Sequence, residues 1–124
     1  MKRDSEAMKV RTKDFALRVL RLYRSLPRTE EARILGKQLL RSSTSIGANY
    51  RAACRGRSRA EFIAKLGIVL EEADETVFWL ELFQEGNIFP ADKLRDLVKE
   101  ANELVSIFVS SIGTARGSPL QSNL

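Results

Sequence analysis

Seven residues, Phe62, Leu66, Val69, Ala73, Thr76, Leu80 and Phe83, recur at alternating spacings of four and three. That period places them on one stripe of a single α-helix, since 3.6 residues complete a turn, and no strand pattern of period two competes with it. The stripe predicts a helix over about 58–85, close to 28 residues and roughly 40 Å long at 1.5 Å per residue. A helix of that length with one apolar seam must bury the seam against other helices. Its start is marked by Ser58 and Glu61, spaced as a capping box in which each side chain serves the other's exposed backbone donor, and its end by Gly86-Asn87.

Three further helices follow from the same reasoning. The spacing predicts one over about 12–26, with Phe15, Val19, Leu22 and Leu26 on one face, ended by Pro27. A second runs over about 30–55, capped by Thr29 with Glu30 and Glu31 in the first turn, where negative charge complements the helix dipole. Its seam, Leu35, Leu39, Ser42, Ile46, Asn49 and Ala53, is partly small and polar, which permits close backbone approach. The last covers about 90–112 behind Pro90, with Leu94, Leu97, Ala101, Leu104, Phe108 and Ile112 as its stripe. Short joins between long helices favour antiparallel neighbours, so the expected fold is all-α, an antiparallel up-down-up-down four-helix bundle over 12–113. Residues 1–11 are expected to be a flexible basic N-terminus and 114–124 a disordered tail.

Composition bounds what such a bundle does. No apolar run approaches the roughly 20 residues of a membrane span, and no secretory signal pattern is visible, so a cytoplasmic location without membrane attachment is expected. Histidine is absent and Cys54 is the single cysteine, which removes the commonest general base and the Glu-x-x-His pairs of bundle metal sites. Cys54 is expected to fill core space. Glu71, Glu72, Asp74 and Glu75 do not share one helix face and cannot converge on a metal unaided. The expectation is a protein that is not an enzyme and takes no cofactor or metal.

Charge is divided along the chain. Residues 1–60 hold 16 Lys and Arg against 5 Asp and Glu, a net +11, whereas residues 61–124 hold 5 against 11, a net −6. One reading is a polyanion-binding surface and the other is complementary faces for assembly. The second helix carries a basic line, Arg33, Lys37, Arg41, Arg51 and Arg55, continuing into Arg57 and Arg59, and the first adds Arg11, Arg18, Arg21, Arg24 and Arg28. If the two helices are adjacent they form one wide positive face. The candidate nucleic-acid contacts are therefore Arg18, Arg21, Arg24, Arg28, Lys37, Arg41, Arg51, Arg55, Arg57 and Arg59. Arginine outnumbers lysine 14 to 7, and its planar fork suits phosphate. No aromatic stacking motif is interleaved, so binding of RNA or DNA is expected to be electrostatic.

The third helix carries the competing signal. Ile68, Glu72, Glu75, Phe78, Trp79 and Leu82 lie on its flank or beyond it, mixing large apolar side chains with carboxylates; one reading is a helix flank whose carboxylates pair with an arginine or asparagine of a neighbouring helix, and the other makes these six the candidate oligomer interface. Glu71, Asp74, Glu81 and Glu85 lie opposite the seam and are expected in solvent. Asn49, placed on the seam of the second helix, needs partners if buried, and Glu72 or Glu75 are the expected ones.

The segments Arg41-Ser-Ser-Thr-Ser-Ile-Gly-Ala-Asn-Tyr-Arg-Ala-Ala53, Phe62-Ile-Ala-Lys-Leu66 and Leu70-Glu-Glu-Ala-Asp-Glu-Thr-Val-Phe-Trp-Leu-Glu-Leu82 closely resemble the bacterial four-helix-bundle family associated with intervening sequences of large-subunit (23S) ribosomal RNA genes. The resemblance runs from Phe15 to Ile112. It implies an up-down bundle, in this family often assembled as a ring-shaped homopentamer, with no established catalytic activity. More distantly the chain is similar to the accessory protein of diversity-generating retroelements, which implies a reverse transcriptase and nucleic acid as partners. Where many family members carry Ala-Glu-Gly, this chain has Arg51-Ala52-Ala53, which makes the segment more basic.

Overall fold

In the computed structural model, which describes residues 2–117, four helices follow one another: α1 (Lys2–Ser25), α2 (Glu30–Cys54), α3 (Arg59–Glu85) and α4 (Ala91–Ala115). The turns between them are four or five residues long and reverse the chain each time, giving the antiparallel four-helix bundle that the periodicity predicts. The α3 seam is buried at every position from Leu66 to Phe83, and it meets Phe15, Val19, Leu39, Ile46, Leu94, Leu104 and Phe108 in one continuous core. α3 packs extensively on both α2 and α4; α1 packs on α2 and touches α4 only lightly.

The caps form nearly as the sequence requires. Thr29 Oγ1 accepts from the Ala32 amide at 3.2 Å, and Ser58 Oγ accepts from the Glu61 amide at 3.1 Å. The returning bond of the capping box differs by one residue: Glu61 Oε1 accepts from the Arg57 amide at 2.8 Å, outside the helix. After α3, Asn87 takes the left-handed conformation, φ 55°, that the reversal needs.

Two boundary expectations are corrected. The N-terminal residues are not a free arm, because α1 is helical from Lys2. Met8 packs against the core, Thr12 is fully buried with its hydroxyl donating to the Met8 carbonyl at 2.9 Å, and Arg11 is held by α4, so two further turns gain tertiary support. At the other end α4 continues to Ala115 and a turn closes on Gly117, past the expected boundary at 113. The remainder of the expected tail lies outside the described residues.

α2 buries a wider arc than its predicted seam. Besides Leu39, Ser42, Ile46 and Ala53, it buries Gly36, Ser43, Gly47 and Tyr50, while Leu35 and Asn49 sit half-buried at the edge. The reason is that α2 faces both α1 and α3. On the α1 side the approach is close: a Cβ at Gly47 would stand 3.3 Å from Thr12 Oγ1, and one at Gly36 would stand 2.7 Å from Leu26 Cδ1. On the α3 side Thr76 and Ser42, both fully buried, share a hydroxyl-to-hydroxyl bond of 2.8 Å. Tyr50 stacks at a tilt on Phe108 with centroids 5.7 Å apart. Burial, reinforced by the neighbouring Cys54 thiol, pushes its phenol above the usual range. Cys54 itself is half-buried against the core.

Candidate nucleic-acid interface

The basic residues divide into groups with different partners. Arg11 is turned toward α4: its Nε donates to Glu100 Oε2 at 2.7 Å, and its Nη2 donates to Glu100 Oε1 and Glu103 Oε1, both at 2.8 Å. These bonds to carboxylates raise the Arg11 pKa and hold the guanidinium in place. Arg18, seven residues on and therefore on the same line of α1, is half-buried along that α4-facing edge, with Arg21 exposed one turn beyond.

Arg41 also leaves the cationic face. It reaches across to α3, where Nη1 lies 3.4 Å from Glu72 Oε1 and Nη2 meets Glu75, whose Oε2 also accepts from Trp79 Nε1 at 3.2 Å. The carboxylates expected to serve Asn49 are thus taken by Arg41. Asn49 is only half-buried, and its Nδ2 donates to the Ser45 carbonyl one turn back at 2.9 Å. A basic residue placed by helix angle on the positive face is pulled off it because a long side chain can follow a nearby carboxylate pair.

What remains on α2 is a line of cations facing the α1–α2 junction. Lys9, Lys13 and Ala16 from α1 and Thr44, Gly47, Ala48 and Arg51 from α2 line one shallow groove. Lys37, Arg51 and Arg55 lie on the same line of α2 as Thr44; Arg51 lines the groove itself, and Lys37 and Arg55 continue the line beyond its two ends. Lys9 is tied to Glu6 at 3.0 Å; Lys13, Lys37, Arg51 and Arg55 have no ion pair among the described residues. Arg57 and Arg59 continue this charge at the α2–α3 turn. Arg24 and Arg28 lie at the opposite end of the bundle, around the α1–α2 turn. In place of a single wide positive face there are the α1–α2 groove, without Arg11, Arg18 or Arg41, and a separate cluster around Arg24 and Arg28 at the α1–α2 turn.

The six candidate interface residues are not equivalent either. Ile68 and Phe78 are 40% and 51% exposed, while Glu72, Glu75, Trp79 and Leu82 are half-buried. Phe78 stands edge-on to Trp79 with centroids 5.1 Å apart, and Trp79 is fixed by Glu75, so Arg41, Glu72, Glu75, Trp79 and Phe78 form one connected surface. Ile68, Glu75 and Leu82 repeat at seven residues and extend it along α3. Glu71, Asp74, Glu81 and Glu85 are exposed, as expected.

Lys9 and Lys13 in the groove, and Glu100 and Glu103 in holding Arg11, are functional neighbours that helix periodicity alone does not single out. No helix among the described residues is long and apolar enough to cross a membrane, and no group of three or more Cys, Asp or Glu among them is arranged to hold a metal.

An antiparallel helical bundle with basic α1 and α2 and acidic outer faces on α3 is the class of protein this geometry defines. The chain belongs to the 23S rRNA-intervening sequence protein family, whose pattern matches residues 5–110. It is similar to a protein of unknown function from the S23 ribosomal protein family of Bacteroides thetaiotaomicron, known from a crystal structure. The two are 37% identical, the match covers 87% of this chain and 96% of that one, and the TM-score is 0.80. No curated protein matches the chain. Neither the family nor the structural relative indicates an enzyme class.

Proposed function

We propose that this protein is a non-enzymatic nucleic-acid-binding bundle that takes the phosphate backbone of RNA or DNA along the α1–α2 groove, as an accessory to RNA processing or reverse transcription. The observation that carries the reading is that Lys13 and Arg51 in the groove, with Lys37 and Arg55 on the same line of α2, have no ion pair among the described residues, whereas Arg11 and Arg41 are held by carboxylates. Unpaired cations in a line release counterions when phosphates replace them. Four such contacts on a duplex give a slope of log affinity against log salt of about −3.6, so a fourfold rise in salt weakens binding about 150-fold. The absence of a base-stacking pattern fits a backbone reader without sequence preference. Fluorescence anisotropy with structured RNA and duplex DNA over a salt series tests this. Binding with a steep slope supports the reading; no binding at low salt defeats it.

A second reading concerns assembly, and the exposed Phe78 and Ile68 favour it. A homo-oligomer, a pentamer by family resemblance, would bury the α3 surface built on Phe78 and Trp79 against another copy, leaving the groove free. Light scattering in the same buffers gives the oligomer mass, and Phe78→Ala should lower that mass without weakening the salt dependence of binding.

A further inference from the structure

The end of the bundle that holds the α1–α2 turn contains a cleft of about 650 Å³, within the size range of small-ligand sites. Arg24 and Arg28 come to it from the end of α1 and the turn, Arg33 from the first turn of α2, and Tyr23 and Leu26 form its apolar wall. None of the three guanidiniums has an ion pair among the described residues. Glu30 lines the same cleft but pairs with none of them. Three cations against one carboxylate leave two positive charges in a concave site with an aromatic ring on one side. Tyr23 is held there because α2 has no side chain at Gly36: a Cβ at that position would stand 3.2 Å from the ring and 2.7 Å from Leu26 Cδ1. Two unbalanced charges match a phosphomonoester, which carries between −1.5 and −2 near neutrality, better than a phosphodiester with its single charge. Arginine forks suit the terminal oxygens, and an aromatic wall suits a flat base.

We infer that this cleft binds a phosphomonoester attached to a nucleoside, either a free nucleotide or the 5′-phosphorylated end of a strand. The site is separate from the α1–α2 groove and does not require that the groove bind nucleic acid.

Two titrations of the full chain test it. Calorimetry compares adenosine 5′-monophosphate with adenosine and with inorganic phosphate. Anisotropy compares a 12-nucleotide RNA bearing a 5′-phosphate with the same RNA bearing a 5′-hydroxyl. A preference of about tenfold or more for the phosphorylated member in either comparison, removed in Arg28→Ala/Arg33→Ala with unchanged helical circular dichroism, supports the site. Preference with the nucleotide alone identifies a free nucleotide as the ligand, and preference with RNA alone identifies a strand end. If RNA of both kinds fails to bind while the nucleotide still does, the groove reading fails and the cleft stands. Equal or absent binding of the paired ligands in both comparisons, or a preference that survives the double substitution, overturns the inference.

Discussion

Replacing Arg11 with Gln separates two roles that a basic residue on α1 can have. α1 touches α4 only lightly, and the guanidinium of Arg11 ties the two helices through Glu100 and Glu103. The Glu100 contact is bidentate, and that carboxylate is 15% exposed; the Glu103 contact is single, and its carboxylate is 47% exposed. Exposed pairs are worth about 0.2–1 kcal/mol, so the Glu103 contact contributes a few tenths. The Glu100 pair lies at the upper end of that range or above it, because Arg11→Gln leaves a largely buried carboxylate with one neutral donor in place of a fork. Discounted for the 37% exposure of Arg11, the total loss is about 1–2 kcal/mol, or roughly 3–10 °C in melting temperature for a domain of this size. The loss should shrink in high salt, and hydrogen exchange should accelerate in residues 4–14 before it does in α3. Affinity for RNA should stay within about twofold of the original protein, since the side chain is already occupied. An unchanged melting temperature, or a loss of RNA affinity as large as that of Arg51→Ala, would refute the assignment of Arg11 as a structural tie.

The remaining predictions concern other parts of the bundle. Gly67→Ala should stabilise the protein by about 0.5–1 kcal/mol in a urea titration, because a Cβ there meets nothing within 4 Å and the helix interior gains a better former. Phe83→Ala empties a fully buried position on the α3 seam and should cost about 3–5 kcal/mol, read as a lower urea midpoint. Arg41→Ala should lower stability by no more than about 1 kcal/mol, given the exposure of its pairs, and should leave the salt slope of nucleic-acid binding unchanged.

How far these features could be read in advance depended on what kind of pattern carried them. The α3 stripe was legible because one helix face, repeated at four and three, needs no knowledge of its neighbours. The first two turns of α1 were not, because Met8 is the one large apolar residue that continues the line of Phe15 upstream, and Thr12, a polar residue, fills the next buried place by bonding to its own backbone. On α2 the small residues Gly36, Ser43 and Gly47 carry little apolar signal, so the arc turned toward α1 was hidden, and Asn49 was set on the seam in place of Tyr50. The site was legible as a charge imbalance but not as a surface. Whether Arg11, Arg41 or Arg51 stays free depends on which carboxylates the fold brings within reach, and Glu100 lies 89 positions from Arg11 in the chain.

The most direct test of the central proposal is the salt slope of duplex binding for the Lys37→Ala/Arg51→Ala/Arg55→Ala protein beside the original, at matched oligomer mass. Loss of three phosphate contacts should make the slope shallower by about 2.7, with affinity reduced across all sequences alike. A slope that does not move, in a folded protein of unchanged mass, would contradict the assignment of the α1–α2 groove as the phosphate-binding surface.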